Sequence, residues 1–265
     1  MSDPSPAWGA VRTFMRSRCG VMLAEDQHYL LDARLGPLAR DFSFPSVEAF
    51  VATACSASAE DRLRRAVVDA MTTHETTFFR DRPFWKMLED RIIPGLRAAG
   101  RTSLRVWSAA CSTGQEPYSL AMLLEELWPE GAAGTQIVAT DISEIALEKA
   151  REGAFTQLEV NRGLGASRLI RYFEQQPLTY RIKDSLRRRI EWRVDNLLSP
   201  LPGPKDCDLV MCRNVLIYFD ENDRQQVQRR LRASVGAKGY LGFGATEMST
   251  HGEPLGGGWY QPPAK

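Results

Sequence analysis

Apolar residues recur at helical spacing through the first 71 positions of the chain. Trp8, Val11, Phe14 and Met15 share one face of a segment running from Trp8 to Cys19. A second helical pattern spans Asp26 to Leu35, and a third spans Ser46 to Ala54. In the third, Ser46 is placed to cap the helix, and Glu48 lies in the first turn, where negative charge suits the helix dipole. A fourth, Ala59 to Met71, puts Leu63, Ala66, Val67 and Ala70 on one face. Gly20, Gly36-Pro37 and Pro45 punctuate these segments, and Gly36-Pro37 is expected to interrupt the second helix. The pattern predicts a small helical domain over residues 1–71.

Beyond Leu104 the period changes. Leu104 to Ala109 is a short apolar strand, followed by a helix over Pro117 to Leu127 with Leu120, Ala121, Leu123 and Leu124 on its apolar side. Gln136 to Thr140 and Ser143 to Glu152 repeat the strand–helix unit. Ile190 to Val194 and Cys207 to Cys212 are further strands, Asp223 to Ser234 is a helix, and Gly239 to Gly244 is a last strand. This alternation predicts an α/β, doubly wound, mostly parallel sheet covered by helices on both faces. Residues 153–189 do not keep the beat. Leu178 to Lys183 is expected to form a strand of a small β insert at about 172–190. The predicted organisation is a helical domain at 1–71, a linker at 72–85 and an α/β domain at 86–265.

Composition narrows the setting. A chain of 265 residues with 43% hydrophobic and 25% charged residues lies in the ordinary globular range. A net charge of +1 supplies no global basic field to collect nucleic acid. No stretch approaches the roughly 18 apolar residues of a membrane span. Met1 to Pro6 is polar, carries Asp3 and lacks the layout of a secretory signal. Cys19, Cys55, Cys111, Cys207 and Cys212 are scattered and form no CxxC pair. They point to a reduced, cytoplasmic setting with no metal site. A monomer is the default expectation.

In an open α/β sheet, ligands sit beyond the carboxyl ends of the strands, so the candidate chemistry lies at each strand end. The first is followed by Ser108-Ala-Ala-Cys-Ser-Thr-Gly-Gln-Glu-Pro-Tyr-Ser119, small residues that permit close approach to a ligand. It is not GxGxxG, so a nicotinamide dinucleotide is disfavoured. The run fits either an ordinary βα turn or a nucleotide-like cofactor. Asp141, after the second strand, fits either a ribose acceptor or a helix N-cap. Asp195-Asn196-Leu197, after the third, offers an amide and an apolar face to an adenine, and is also a common turn sequence. The fourth strand leads into Cys212-Arg-Asn-Val-Leu-Ile-Tyr-Phe219. This run carries an arginine, an amide and the Tyr218 hydroxyl, although Tyr218 also reads as a core aromatic; Phe219 is taken as core. Thr72 to Asp81 is too polar for core, and Arg80 is suited to a carboxylate.

Together these segments resemble the CheR family, the chemotaxis receptor glutamate methyltransferases. The matching runs are Thr72 to Arg80, Arg105 to Ser119, Ala139 to Ile142, Asn196-Leu197 and Cys212 to Phe219, and the resemblance extends from the helical domain to Gly244-Ala-Thr-Glu247. The resemblance implies a helical domain joined to a Rossmann-like S-adenosylmethionine-dependent methyltransferase domain with a β-subdomain. The activity it implies is transfer of the cofactor's methyl group to receptor glutamates, with S-adenosylhomocysteine as product. Thr76 and Arg80 are then expected at the methionine end of the cofactor, with Glu116 able to pair with its amino group. Asp141 would take the ribose, and Asn196 and Leu197 the adenine. Arg213, Asn214 and Val215 would line the transferring methyl, and Tyr218 and Arg80 are the expected catalytic residues. His74 stands where the family usually has Asn, and is expected to make one hydrogen bond to the cofactor.

The expected partner is the cytoplasmic helical bundle of a chemoreceptor, with no nucleic acid and no direct membrane insertion. Acids slightly outnumber bases over residues 1–75, so electrostatic docking by the helical domain is expected to be modest. The short insert between Tyr172-Phe173 and Asn196-Leu197 suggests independence from a receptor C-terminal pentapeptide tether. There are three alternatives. A nucleic-acid methyltransferase is disfavoured by Arg213-Asn-Val-Leu where an Asp/Asn-Pro-Pro-Tyr/Phe run is expected. A non-catalytic cofactor-binding module is disfavoured by polar residues at every strand end. A CheR-like enzyme serving a non-chemotactic signalling array would use identical chemistry.

Overall fold

Each N-terminal helix buries the stripe that its spacing marks. The structure, a computed structural model, describes residues 6–199 and 203–263, so the reading of Met1 to Pro6 falls, except for Pro6, outside the described residues. Helix α1 (Pro6–Cys19) turns Trp8, Val11, Phe14 and Met15 inward. After a 3-10 turn (Glu25–Tyr29) and a π-helical turn (Leu31–Leu35), the chain continues as α2 (Gly36–Asp41). Gly36-Pro37 therefore does not stop the helical run. Pro37 sits in the first turn of α2, directly after the π-helical turn. Helix α3 (Val47–Ala54) starts at Ser46, whose side chain accepts from the Ala49 amide at 3.2 Å. Helix α4 (Asp61–Met71) buries Leu63, Val67, Val68 and Met71. Its inward face is thus rotated from the expected one, with Ala66 and Ala70 only half-buried. These helices share a core of their own around Trp8 and Phe50, both fully buried. Side chains of that size each contribute roughly 1.5–3 kcal/mol on burial.

Next comes a helical stretch that the sequence pattern left unassigned: α5 (Arg82–Met87), a π-helical turn (Leu88–Ile92) and α6 (Ile93–Ala98). The sheet then begins with β1 (Arg105–Ala109), α7 (Gln115–Leu127), α8 (Pro129–Gly134), β2 (Gln136–Asp141) and α9 (Glu144–Glu152). The insert contains β3 (Ala154–Phe155), α10 (Gln157–Asn161), α11 (Ala166–Tyr172), β4 (Phe173–Gln175), β5 (Tyr180–Ile182) and α12 (Asp184–Arg187). The chain closes with β6 (Ile190–Val194), β7 (Cys207–Cys212), α13 (Glu221–Ser234), β8 (Val235–Phe243), β9 (Glu253–Gly256) and β10 (Trp259–Gln261).

The main sheet has the order β6-β2-β1-β7-β8-β10-β9. Its first five strands are parallel, and β10 and β9 add antiparallel edges. The C-terminal hairpin was not anticipated, because Gly257-Gly258 separates two strands too short to show a period. Trp259 seals it by stacking on Phe84 with centroids 4.4 Å apart. The insert is wider than a hairpin: β3 joins β5 and β4 in a three-stranded antiparallel sheet.

After β1 the chain winds out to β2 and β6, then crosses back to β7 and β8. The order therefore reverses between β1 and β7, and the crevice at their carboxyl ends is where such sheets bind ligands.

Candidate functional site

A cavity of about 240 Å³ opens at that crevice. All eleven residues singled out from the sequence line it: His74, Thr76, Arg80, Glu116, Asp141, Asn196, Leu197, Arg213, Asn214, Val215 and Tyr218. The far wall comes from the N-terminal helical unit, through Val21 to Leu23, Gln27, Tyr29, Leu30 and Arg34. Phe79, Asp81, Ala110, Ser112 and Asn214, all in the surrounding loops, hold left-handed backbone conformations. Such strain persists where packing and hydrogen bonds over-determine the backbone, and it clusters at functional sites.

The loop after β1 wraps around Asp141. Asp141 Oδ2 accepts from the Ser112 amide at 2.7 Å, and Oδ1 accepts from the Ser143 amide at 2.9 Å. The cap of α9 is Ser143, which accepts from the Ala146 amide. Asp141 is thus no N-cap and stands at the cavity wall. Burial raises its carboxyl above the ordinary range, against the lowering effect of the two amides. Gly114, at φ +95°, starts α7; a Cβ there would lie 2.9 Å from Ala150 and Trp192.

Glu116 and Arg213 form the floor. Glu116 Oε1 accepts from Ser108 Oγ at 2.8 Å, and Oε2 pairs with Arg213 Nη1 at 3.0 Å. Arg213 Nη2 donates to Asp81 Oδ2 at 2.8 Å and to the Arg80 carbonyl at 2.7 Å. The Arg213 guanidinium lies 4.0 Å from the centre of the Phe84 ring, and its side chain is 2% exposed. The guanidinium therefore acts as a strut between the linker, α7 and β7.

Other placements are less direct than the sequence suggested. Asn196 Nδ2 donates to the Arg18 carbonyl at 2.7 Å and Oδ1 accepts from the Leu198 amide at 3.0 Å. Both ends of that amide are engaged within the protein, so it ties α1 to the loop after β6. Leu197 presents an apolar wall, and its carbonyl accepts from Arg230. The neighbouring Asp195, passed over as a turn residue, also lines the cavity, and burial raises its carboxyl. His74 Nε2 lies 3.2 Å from both Thr72 Oγ1 and the Asp69 carbonyl, while the His74 carbonyl accepts from Ser112 Oγ. Arg80 Nη1 donates to the Glu75 carbonyl at 3.1 Å. Tyr218 is half-buried, its carbonyl accepting from the Met22 amide at 2.8 Å. Among the described residues, none bonds its hydroxyl.

The family model for the S-adenosylmethionine-binding domain of CheR methyltransferases matches residues 74–254, which take in most of the linker, the five parallel strands and the loops at their carboxyl ends. The chain belongs to the CheR family. It is 39% identical to the chemotaxis protein methyltransferase 1 of Pseudomonas aeruginosa, over 93% of this chain and 92% of that one. It is 37% identical to a protein of that name from Vibrio cholerae, covering 89% of this chain and 87% of its relative. A chemotaxis protein methyltransferase of Borreliella burgdorferi is 30% identical over 86% of this chain and 83% of its own.

As a CheR methyltransferase, the protein uses S-adenosylmethionine, and the lining fits that group. Three arginines (Arg34, Arg80, Arg213) face four carboxylates (Glu75, Glu116, Asp141, Asp195) around the cavity. The excess negative charge complements a ligand whose sulfonium and ammonium outweigh its one carboxylate. Asp141 suits a ribose, and Leu197, Ile142 and Leu23 suit an aromatic base.

The resemblance ends on Glu247 but implies no role for it. Glu247 lies outside the cavity lining, yet it binds the loop after β7. Its local signal is an acid just past the end of a strand.

Proposed function

We propose that this CheR protein transfers the cofactor's methyl group to glutamate side chains of a chemoreceptor's cytoplasmic helical bundle, leaving S-adenosylhomocysteine. The observation that carries the proposal is the Tyr218 hydroxyl at the cavity wall, beside the cofactor-binding loop and, among the described residues, without a protein partner. The cofactor supplies an activated methyl on a good leaving group. A glutamate acceptor is already ionised at neutral pH and needs no general base. The residues therefore have to position it and exclude water. Tyr218 donates a hydrogen bond that orients one acceptor oxygen and leaves the other to attack. Arg80, with Thr76, holds the methionine carboxylate. Glu116 takes the ammonium, with Arg213 balancing part of its charge. Asp141 accepts from the ribose. Leu197 and the backbone of its loop hold the adenine, and His74 lines the same cavity.

The insert favours independence from a receptor tether. The turn joining β4 and β5 is only Gln176–Thr179, closed by the Gln176 amide donating to the Thr179 carbonyl at 2.8 Å. So short a turn offers little surface to grip a peptide. Tight calorimetric binding of a receptor C-terminal pentapeptide would overturn that part. Tandem mass spectrometry of methylated receptor tests the acceptor, with the methyl group expected on glutamate side chains.

A further inference from the structure

Glu247 is buried, 6% exposed, and among the described residues pairs with no cation. Its carboxylate is instead surrounded by backbone. Oε2 accepts from the Asn214 amide at 2.7 Å and the Gly244 amide at 2.8 Å. Oε1 accepts from the Val215 amide at 2.8 Å and the Leu216 amide at 2.7 Å. Three successive N–H groups converge on one anion because Asn214 is left-handed, at φ +59°. That arrangement is an anion nest, and here the anion is the protein's own side chain. Bonds to a carboxylate are about twice as strong as neutral ones.

We propose that Glu247 is a positioning residue that sets the shape of the cofactor-facing loop after β7; this deepens the methyl-transfer reading and rests on it. The clamp holds Asn214 in a conformation that costs energy elsewhere in a chain. It fixes Val215, whose carbonyl accepts from the Tyr218 amide at 3.1 Å, so the placement of Tyr218 follows from it. Gly244 completes the device. A Cβ there would lie 2.7 Å from both Glu247 Oε2 and Asn214 Nδ2, so only glycine lets the end of β8 close on the loop.

Asp208 supplies a control of matching chemistry at the opposite end of the sheet. It is a buried carboxylate that accepts from the Arg105 amide at 2.9 Å and pairs with Arg101 at 2.9 Å, remote from the cavity. Glu247→Gln places an amide NH₂ against N–H donors and removes the charge. Calorimetry with S-adenosylhomocysteine, thermal unfolding, and kcat and KM for receptor methylation are compared in both variants. Glu247→Gln is expected to weaken S-adenosylhomocysteine by about tenfold or more, the scale of one charged hydrogen bond, and to lower kcat more than it changes acceptor KM. Asp208→Asn is expected to lower the melting temperature and leave affinity and kcat unchanged. If Glu247→Gln does not fold, Gly244→Ala keeps the charge while displacing the same loop, and the same loss of affinity is expected. Wild-type affinity and kcat in a folded Glu247→Gln variant would overturn the proposal. The binding arm needs no receptor, so it decides the clamp even if the wild-type protein fails to methylate glutamate.

Discussion

Arg213 Nη1 lies 3.0 Å from Glu116 Oε2, and its Nη2 lies 2.8 Å from Asp81 Oδ2. One buried guanidinium thus holds the linker against the floor of the cofactor cavity. Removing it leaves two carboxylates without their cation. Arg213→Ala is expected to lower the unfolding free energy by about 3–5 kcal/mol, measured by urea denaturation. Arg213→Lys should recover little, because an ammonium cannot reproduce the forked bonds. A loss below about 1 kcal/mol, typical of an exposed pair, would contradict the strut.

Asp141 makes cofactor affinity sensitive to acid. In the proposed ribose role its ionised form is the acceptor, and burial raises its carboxyl. Affinity is therefore full above the raised pKa and falls as pH drops through it, at a higher pH than for a free carboxyl near 3.9. For the fold the sign is opposite: the stability this group contributes is present below its unfolded pKa and lost as pH rises through the folded one. Calorimetry with S-adenosylhomocysteine on acidification from neutral pH checks the first statement. Asp141→Asn should bind more weakly and flatten the profile. Identical profiles for both proteins would count against the ribose role.

Tyr218 is expected to act on turnover alone. Tyr218→Phe keeps the ring and the backbone bond from Met22 and loses only the hydroxyl. kcat should fall about 10–100-fold, the scale of one hydrogen bond to a charged acceptor. S-adenosylhomocysteine affinity should not change. Weakened cofactor binding with kcat intact would move Tyr218 from the acceptor to the cofactor.

Most of the parallel sheet and the position of the cavity could be read from the chain. Period-2 and period-3.6 apolar runs mark β1, β2, β6, β7 and their helices, and strand ends bring function together. The edge hairpin β9–β10 and the two-residue β3 were not legible, because their pairing is set by distant partners. The same limit explains the side chains. Asn196 and Arg213 line the cavity, but their partners Arg18, Asp81 and Glu116 lie far away in sequence. Nothing local shows that a side chain has already been claimed. The role of Glu247 was hidden for the converse reason, since it reaches the site through backbone.

Asn196 tests the tie between the helical unit and the sheet. Asn196→Ala loses the bond to the Arg18 carbonyl and is expected to cost about 1 kcal/mol of stability. Asn196→Asp keeps an acceptor for the Leu198 amide but turns a carboxylate toward the Arg18 carbonyl, and should be the worse of the two. Chemical denaturation of both variants checks the order. An aspartate variant as stable as wild type would show that the tie contributes nothing.

The most direct test of glutamate methylation uses S-adenosylmethionine labelled on its methyl group. The purified protein is incubated with chemoreceptor signalling domains, the product is treated with base, and volatile label is collected. Label on the receptor that base releases as methanol is the expected result, because a glutamyl methyl ester hydrolyses. Label that resists base would place the methyl group on an amine or another acceptor and contradict the glutamate assignment.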